Sequence, residues 1–132
     1  MDPVVHFEMA YQDRQRAADF YSKTFGWKTQ MLGAEMNDYV VVHTGETSED
    51  GMLQKPGMIN GGLYQKPEDP QGQAPSVVIA VEDIEETLKK IEANGGKILG
   101  QPMPIPGVGK YASFIDTEGN RASVLQPDPM KQ

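Results

Sequence analysis

The sequence predicts an α+β domain in which one βαβββ plan is written twice. Two helix signals stand in register, with Asp13 and Asp83 70 residues apart and Gly26 and Gly96 the same. Alternating apolar runs flank each helix, and their inward positions repeat at the same interval, Phe7 with Val77 and Met9 with Ile79. A repeat of this size marks a duplicated supersecondary unit. The 132 residues suffice for a single domain with a real core. Its first module is expected over about residues 4–66 and its second over about 75–127.

Each element follows from local chemistry. "VVHFEM" alternates apolar and polar side chains, so it reads as a strand with His6 and Glu8 on one face and Val5, Phe7 and Met9 on the other. "DRQRAADFYSKTFG" offers Asp13 as a helix cap, Ala17, Phe20, Tyr21 and Phe25 as an apolar face, and Gly26 as a stop. Strands follow at "WKTQML", "DYVVVHT" and "GGLYQ". In the second module "SVVIAV" leads into "DIEETLKKIEANGG". There Asp83 and Glu86 have capping-box spacing, Ile84, Leu88 and Ile91 form the stripe, and Gly95-Gly96 end the helix. "KILG", "KYASFID" and "RASVLQ" complete the module, the last two joined by the turn signal "TEGN".

Two connecting segments have a different character. "TGETSEDGMLQKPGMING" is long, acidic and glycine-rich around Met52, Leu53 and Met58, which predicts a lid. "GQPMPIPGVG" carries three prolines that each fix φ, predicting a fixed wall. Eight methionines, among them Met31, Met36, Met52, Met58 and Met103, suit either core packing or an adaptable apolar pocket.

Composition narrows the chemistry. Twelve basic against 19 acidic residues give a net charge of −7 without a basic cluster, so nucleic acid is not an expected partner. No apolar run approaches the roughly 20 residues of a membrane span, and the N-terminus does not read as a signal peptide. The absence of cysteine removes disulfides, thiolate metal sites and cysteine nucleophiles, and suits the cytoplasm. No phosphate-binding loop, dinucleotide fingerprint or Ser-His-Asp order is present.

Candidate functional residues lie on the strand faces turned away from the helices. Each helix covers one sheet face, leaving the face of His6, Glu8 and Ser76 for solvent or a cavity. His6 beside Glu8 offers an acid–base or ligand-binding pair. His43 shares a face with Tyr39 and Val41. Arg121 and Ser123 share a face of the last strand, where the guanidinium suits a planar anion or a surface ion pair. Tyr111 and Ser113 alternate with Ala112 and Phe114, and the sequence leaves open which pair faces inward.

The plan, with "HFEMAYQDRQRAADFYSKTFGW", "NGGKIL" and "IDTEGNRASVLQP", resembles the vicinal oxygen chelate superfamily of glyoxalases, bleomycin-resistance proteins and extradiol dioxygenases. The likeness covers residues 4 to 127, and "GGLYQKP" and "MPIPGVGKYASF" place it nearest a glyoxalase-related branch of undefined activity. The resemblance implies paired βαβββ modules around a cavity and a homodimer. It also implies four metal-ligand places, on the first and last strand of each module. These fall on His6, Gly62, Ser76 and Ser123, so His6 alone matches a donor of the family. Glycine offers no side chain and neutral serine is a poor ligand, so no metal or other cofactor is expected.

Two functions compete. In the first, the domain binds a small organic ligand without catalytic metal, as bleomycin-binding relatives do, using His6, Glu8, His43, Ser76, Tyr111, Arg121 and Ser123. In the second it is an enzyme, either a lyase or isomerase with His6 or Glu8 as general base or a divalent-metal member of the superfamily. Whether it is an enzyme stays open on the sequence.

Overall fold

The computed structural model describes residues 1–46 and 57–129. Their chain divides into two compact units, residues 6–75 and residues 1–5 with 76–132. The first unit holds β1 (Val4–Tyr11, which begins in the other unit), α1 (Arg14–Phe25), β2 (Lys28–Met31), β3 (Val40–His43) and β4 (Asn60–Gln65). The second holds β5 (Ser76–Ala80), α2 (Ile84–Ala93), β6 (Lys97–Ile98), β7 (Met103–Ile105), β8 (Gly109–Ile115) and β9 (Arg121–Pro127). The α+β class and the twofold use of the βαβββ plan are therefore present. The expected lid falls largely on residues 47–56, including Met52 and Leu53, which lie outside the described residues.

Both units share one strand logic. In the first, β1 pairs in parallel with β4, β4 antiparallel with β3, and β3 antiparallel with β2. In the second, β5 pairs in parallel with β9, β9 antiparallel with β8, and β8 antiparallel with β6. The proline segment also joins the sheet. Met103–Ile105 adds β7 to β8, with Pro104 opposite Lys110. Proline is tolerated there because an edge strand need not donate every backbone N–H.

The helix ends follow their sequence signals. The Asp13 carboxylate accepts the Arg16 N–H at 3.0 Å, and Gly26 takes φ 75° while its N–H reaches the Ser22 carbonyl. Asp83 accepts the Glu86 N–H at 3.2 Å. The Glu86 carboxylate lies 3.4 Å from the Lys89 ammonium. The expected stripe on α1 needs correction. Ala18 is buried, whereas Phe20 and Phe25 are 56% and 61% exposed. Trp27, just past the Gly26 turn, packs onto the core and stacks on Tyr21 at 4.7 Å, taking the space those phenylalanines would fill.

Each core lies between its helix and one sheet face. Tyr11, Val40, Val42 and Leu63 form the first, backed by Phe7, Met9, Ala17, Trp27 and Met31. Val81, Ile84, Leu88, Ala112 and Val124 form the second, with Ile79, Ile91, Ile98 and Phe114 against them. Ala112 and Phe114 thus face α2, which assigns Tyr111 and Ser113 to the opposite, polar face.

Candidate functional site

The first polar face is built on β1, β3 and β4. In the parallel register His6 lies opposite Asn60 and Glu8 opposite Gly62. In the antiparallel register Val41 lies opposite Gly62. Alternation therefore puts His6, Glu8, Asn60, Gly62, Tyr39, Val41 and His43 on the face away from α1. Glu8 is only 8% exposed, deep burial for a carboxylate, which requires hydrogen-bonding partners.

Tyr39 supplies one. Its hydroxyl donates to Glu8 Oε2 at 3.1 Å and lies 3.0 Å from His6 Nε2, so one phenol bridges the two residues that the sequence singled out. The adjacent glycines of "GGLYQ" explain how it fits. A Cβ on Gly61 would meet the Phe7 ring at 2.6 Å on the core side. A Cβ on Gly62 would overlap the Tyr39 ring and hydroxyl on the polar side. Each glycine makes room for one aromatic side chain, on opposite faces of β4. The sequence showed Tyr39 sharing a face with His43, but not its contact with His6 and Glu8.

Burial lowers the His6 pKa below 6.5, opposed by the Glu8 carboxylate, which raises it. Desolvation outweighs attraction, so the imidazole is neutral at physiological pH. His43 lies two steps beyond Val41, with its Nδ1 buried and lacking a hydrogen-bond partner among the described residues. It is not part of the His6–Tyr39–Glu8 chain.

The second unit carries a polar face at the matching register. Ser113 lies opposite Ser123, and Val78 opposite Ser123 on the other side. Ser123 is completely buried. Its hydroxyl lies 2.7 Å from the Tyr111 hydroxyl and 2.9 Å from the Ser113 hydroxyl, while Arg121 Nη2 donates to Ser113 Oγ at 3.1 Å. The structure thus joins Tyr111, Arg121 and Ser123 and adds Ser113. Ser76 is buried on β5, and its hydroxyl has no partner among the described residues.

A separate pocket of about 390 Å³ opens between the end of β1 and α1, lined by Tyr11, Arg16, Phe20 and Lys66 among others. It shares no residue with the His6 group. Among the described residues, no three His, Asp or Glu side chains come together to hold a metal ion.

The βαβββ plan used twice, with polar residues on the sheet face away from each helix, defines the α+β class of this chain. The chain belongs to the glyoxalase/bleomycin resistance protein/dioxygenase superfamily, whose family model matches residues 4–124. A glyoxylase-like domain-containing protein of Didymella fabae is 33% identical over 120 residues, covering 89% of this chain and 88% of that protein. Lactoylglutathione lyase of Oryza sativa subsp. japonica is 31% identical over 126 residues, covering 89% of this chain but only 42% of the rice protein. Among solved structures, Streptomyces coelicolor methylmalonyl-CoA epimerase in complex with 2-nitronate-propionyl-CoA superposes with TM-score 0.68 at 16% identity, covering 98% of this chain and 97% of that one. The hypothetical protein BH1468 of Bacillus halodurans C-125 gives TM-score 0.69 at 16% identity, covering 99% and 98%. At such identities the likeness establishes the fold alone.

Proposed function

We propose that this protein binds a small organic ligand on the polar face of its first unit, through His6 and Glu8 and without a catalytic metal. The observation that supports this is the Tyr39 hydroxyl lying between His6 and Glu8, in the side-chain space left by Gly62. A metal centre on the family pattern needs three or four N or O donors and an open position. Here the four places hold one imidazole, one absent side chain and two serines, so the residues present do not fit a metal ion. On the second unit's own polar face, Ser76, Tyr111, Arg121 and Ser123 offer hydroxyls and a guanidinium for binding. His43 completes the polar face of the first unit. A homodimer, which the resemblance implies, and a cytoplasmic location, which the absence of cysteine suits, belong to the same proposal.

A lyase or isomerase-type reaction is the second reading, favoured by the burial of Glu8 in a hydrogen-bond chain with Tyr39 and His6. Such a carboxylate has the environment of a general base. Native mass spectrometry of untagged protein tests the proposal. The expected spectrum contains an organic adduct that disappears in Glu8→Gln, with zinc, nickel, iron and manganese well below stoichiometry. Stoichiometric metal, lost in His6→Ala, would overturn the proposal and revive a metalloenzyme.

A further inference from the structure

Tyr39 reaches its place by an unusual route. The two residues before it, Asn37 and Asp38, both take left-handed backbone conformations with φ 54° and 56°. Non-glycine residues rarely adopt this region, and two in succession persist only when neighbours over-determine them. Those neighbours are present. The Tyr11 hydroxyl donates to the Asp38 carbonyl at 2.8 Å, and Arg14 donates to the Leu32 carbonyl at 2.8 Å and lies 3.8 Å from the Asp38 carboxylate. The Asp38 and Tyr39 N–H groups bond to Gly33 and Met36 carbonyls. Groups from β1 and the first turn of α1 therefore hold a strained turn that ends at Tyr39.

The duplicated plan repeats the arrangement. Val41 faces Gly62 in one unit and Ser113 faces Ser123 in the other. Tyr39 and Tyr111 each stand two residues before that partner, on the same face. Each tyrosine hydroxyl covers the last-strand ligand place of its own unit, Tyr39 over Gly62 and Tyr111 on Ser123.

Proton bookkeeping fixes the rest. The Tyr39 hydroxyl carries a single proton and donates it to Glu8 Oε2. The 3.0 Å contact between Tyr39 and His6 Nε2 then needs its proton from the imidazole. A neutral His6 protonated at Nε2 has its lone pair at Nδ1. We infer that Tyr39 is the specificity-determining residue of this face, filling the space of the missing ligand side chain and setting His6 to accept a hydrogen bond at Nδ1 from an O–H or N–H of the ligand. This rests on the reading of the face as a metal-free binding site, and it names the ligand class as a hydrogen-bond donor.

Two measurements test it, and neither needs the ligand. Gly62→Ala should lower Tm by about 5 °C or more in the natural background, because the added methyl collides with Tyr39. In a Tyr39→Ala background the same substitution should cost little. Equal losses in both backgrounds would overturn the spatial pairing. In nitrogen-15 spectra of the imidazoles, with His43→Gln identifying the signals, His6 should be the Nε2–H tautomer and should lose that preference in Tyr39→Phe. An Nδ1–H tautomer, or a preference unchanged by Tyr39→Phe, would overturn the proton assignment. With both results intact, a bound ligand that carries no O–H or N–H donor would overturn the specificity assignment alone, whereas a failed ligand search would count against the proposed function.

Discussion

His6 gives stability a pH dependence just below neutrality. Its folded pKa is lowered from 6.5 because burial disfavours the imidazolium more than Glu8 favours it. The unfolded chain therefore binds the proton more readily than the folded one. Stability from this residue is complete above 6.5 and falls as the pH drops from there towards the lowered folded value. Between pH 7.5 and 5.5, Tm should decrease, and His6→Gln should flatten that slope. A slope unchanged in His6→Gln would contradict the assignment. Glu8 makes a different contribution. Glu8→Gln keeps the shape but removes the charge that accepts from Tyr39, so affinity for a ligand bound there should fall by about 1–3 kcal/mol. Isothermal titration with the ligand recovered by mass spectrometry measures the loss, and an unchanged affinity would remove Glu8 from the site.

At the scale of elements, the N-caps connect sequence to stability. The Asp83 carboxylate satisfies an N–H that the first turn of α2 leaves without an intrahelical partner. Asp83→Ala should destabilise the protein by about 1 kcal/mol in urea unfolding, and Asp83→Asn much less. Such features were legible because they depend on residues within one turn of each other. Strand alternation was legible for the same reason and placed His6 and Glu8 on one face. Tyr39 was not legible as a site residue, because its position depends on two left-handed residues before β3 and on the register of β3 against β4. The α1 stripe misled because Tyr21 and Trp27 stack together and exclude Phe20 and Phe25 from the space beneath the helix. Pairing also explains β7, since a segment rich in proline gains strand structure only by meeting the edge of β8.

At the scale of the whole molecule, the question is what covers α1. Phe20 and Phe25 are more than half exposed and contact each other with ring centroids 6.4 Å apart, forming an aromatic surface. Acidic chains gain solubility from charge repulsion, but a net charge of −7 spread over 132 residues does not prevent a local apolar contact. A second copy of the chain presents the same patch, so twofold pairing would bury both at once, which is the geometry of an isologous interface. The proposed homodimer would then make its contact on this helix. Light scattering at high micromolar concentration should give the mass of two chains, and Phe20→Ser with Phe25→Ser should return the mass of one. Both side chains lie outside the core, so the double variant should keep the parent far-ultraviolet circular dichroism spectrum. A natural protein that is monomeric at that concentration would overturn the dimer. A dimer that survives the double substitution would move the interface away from α1.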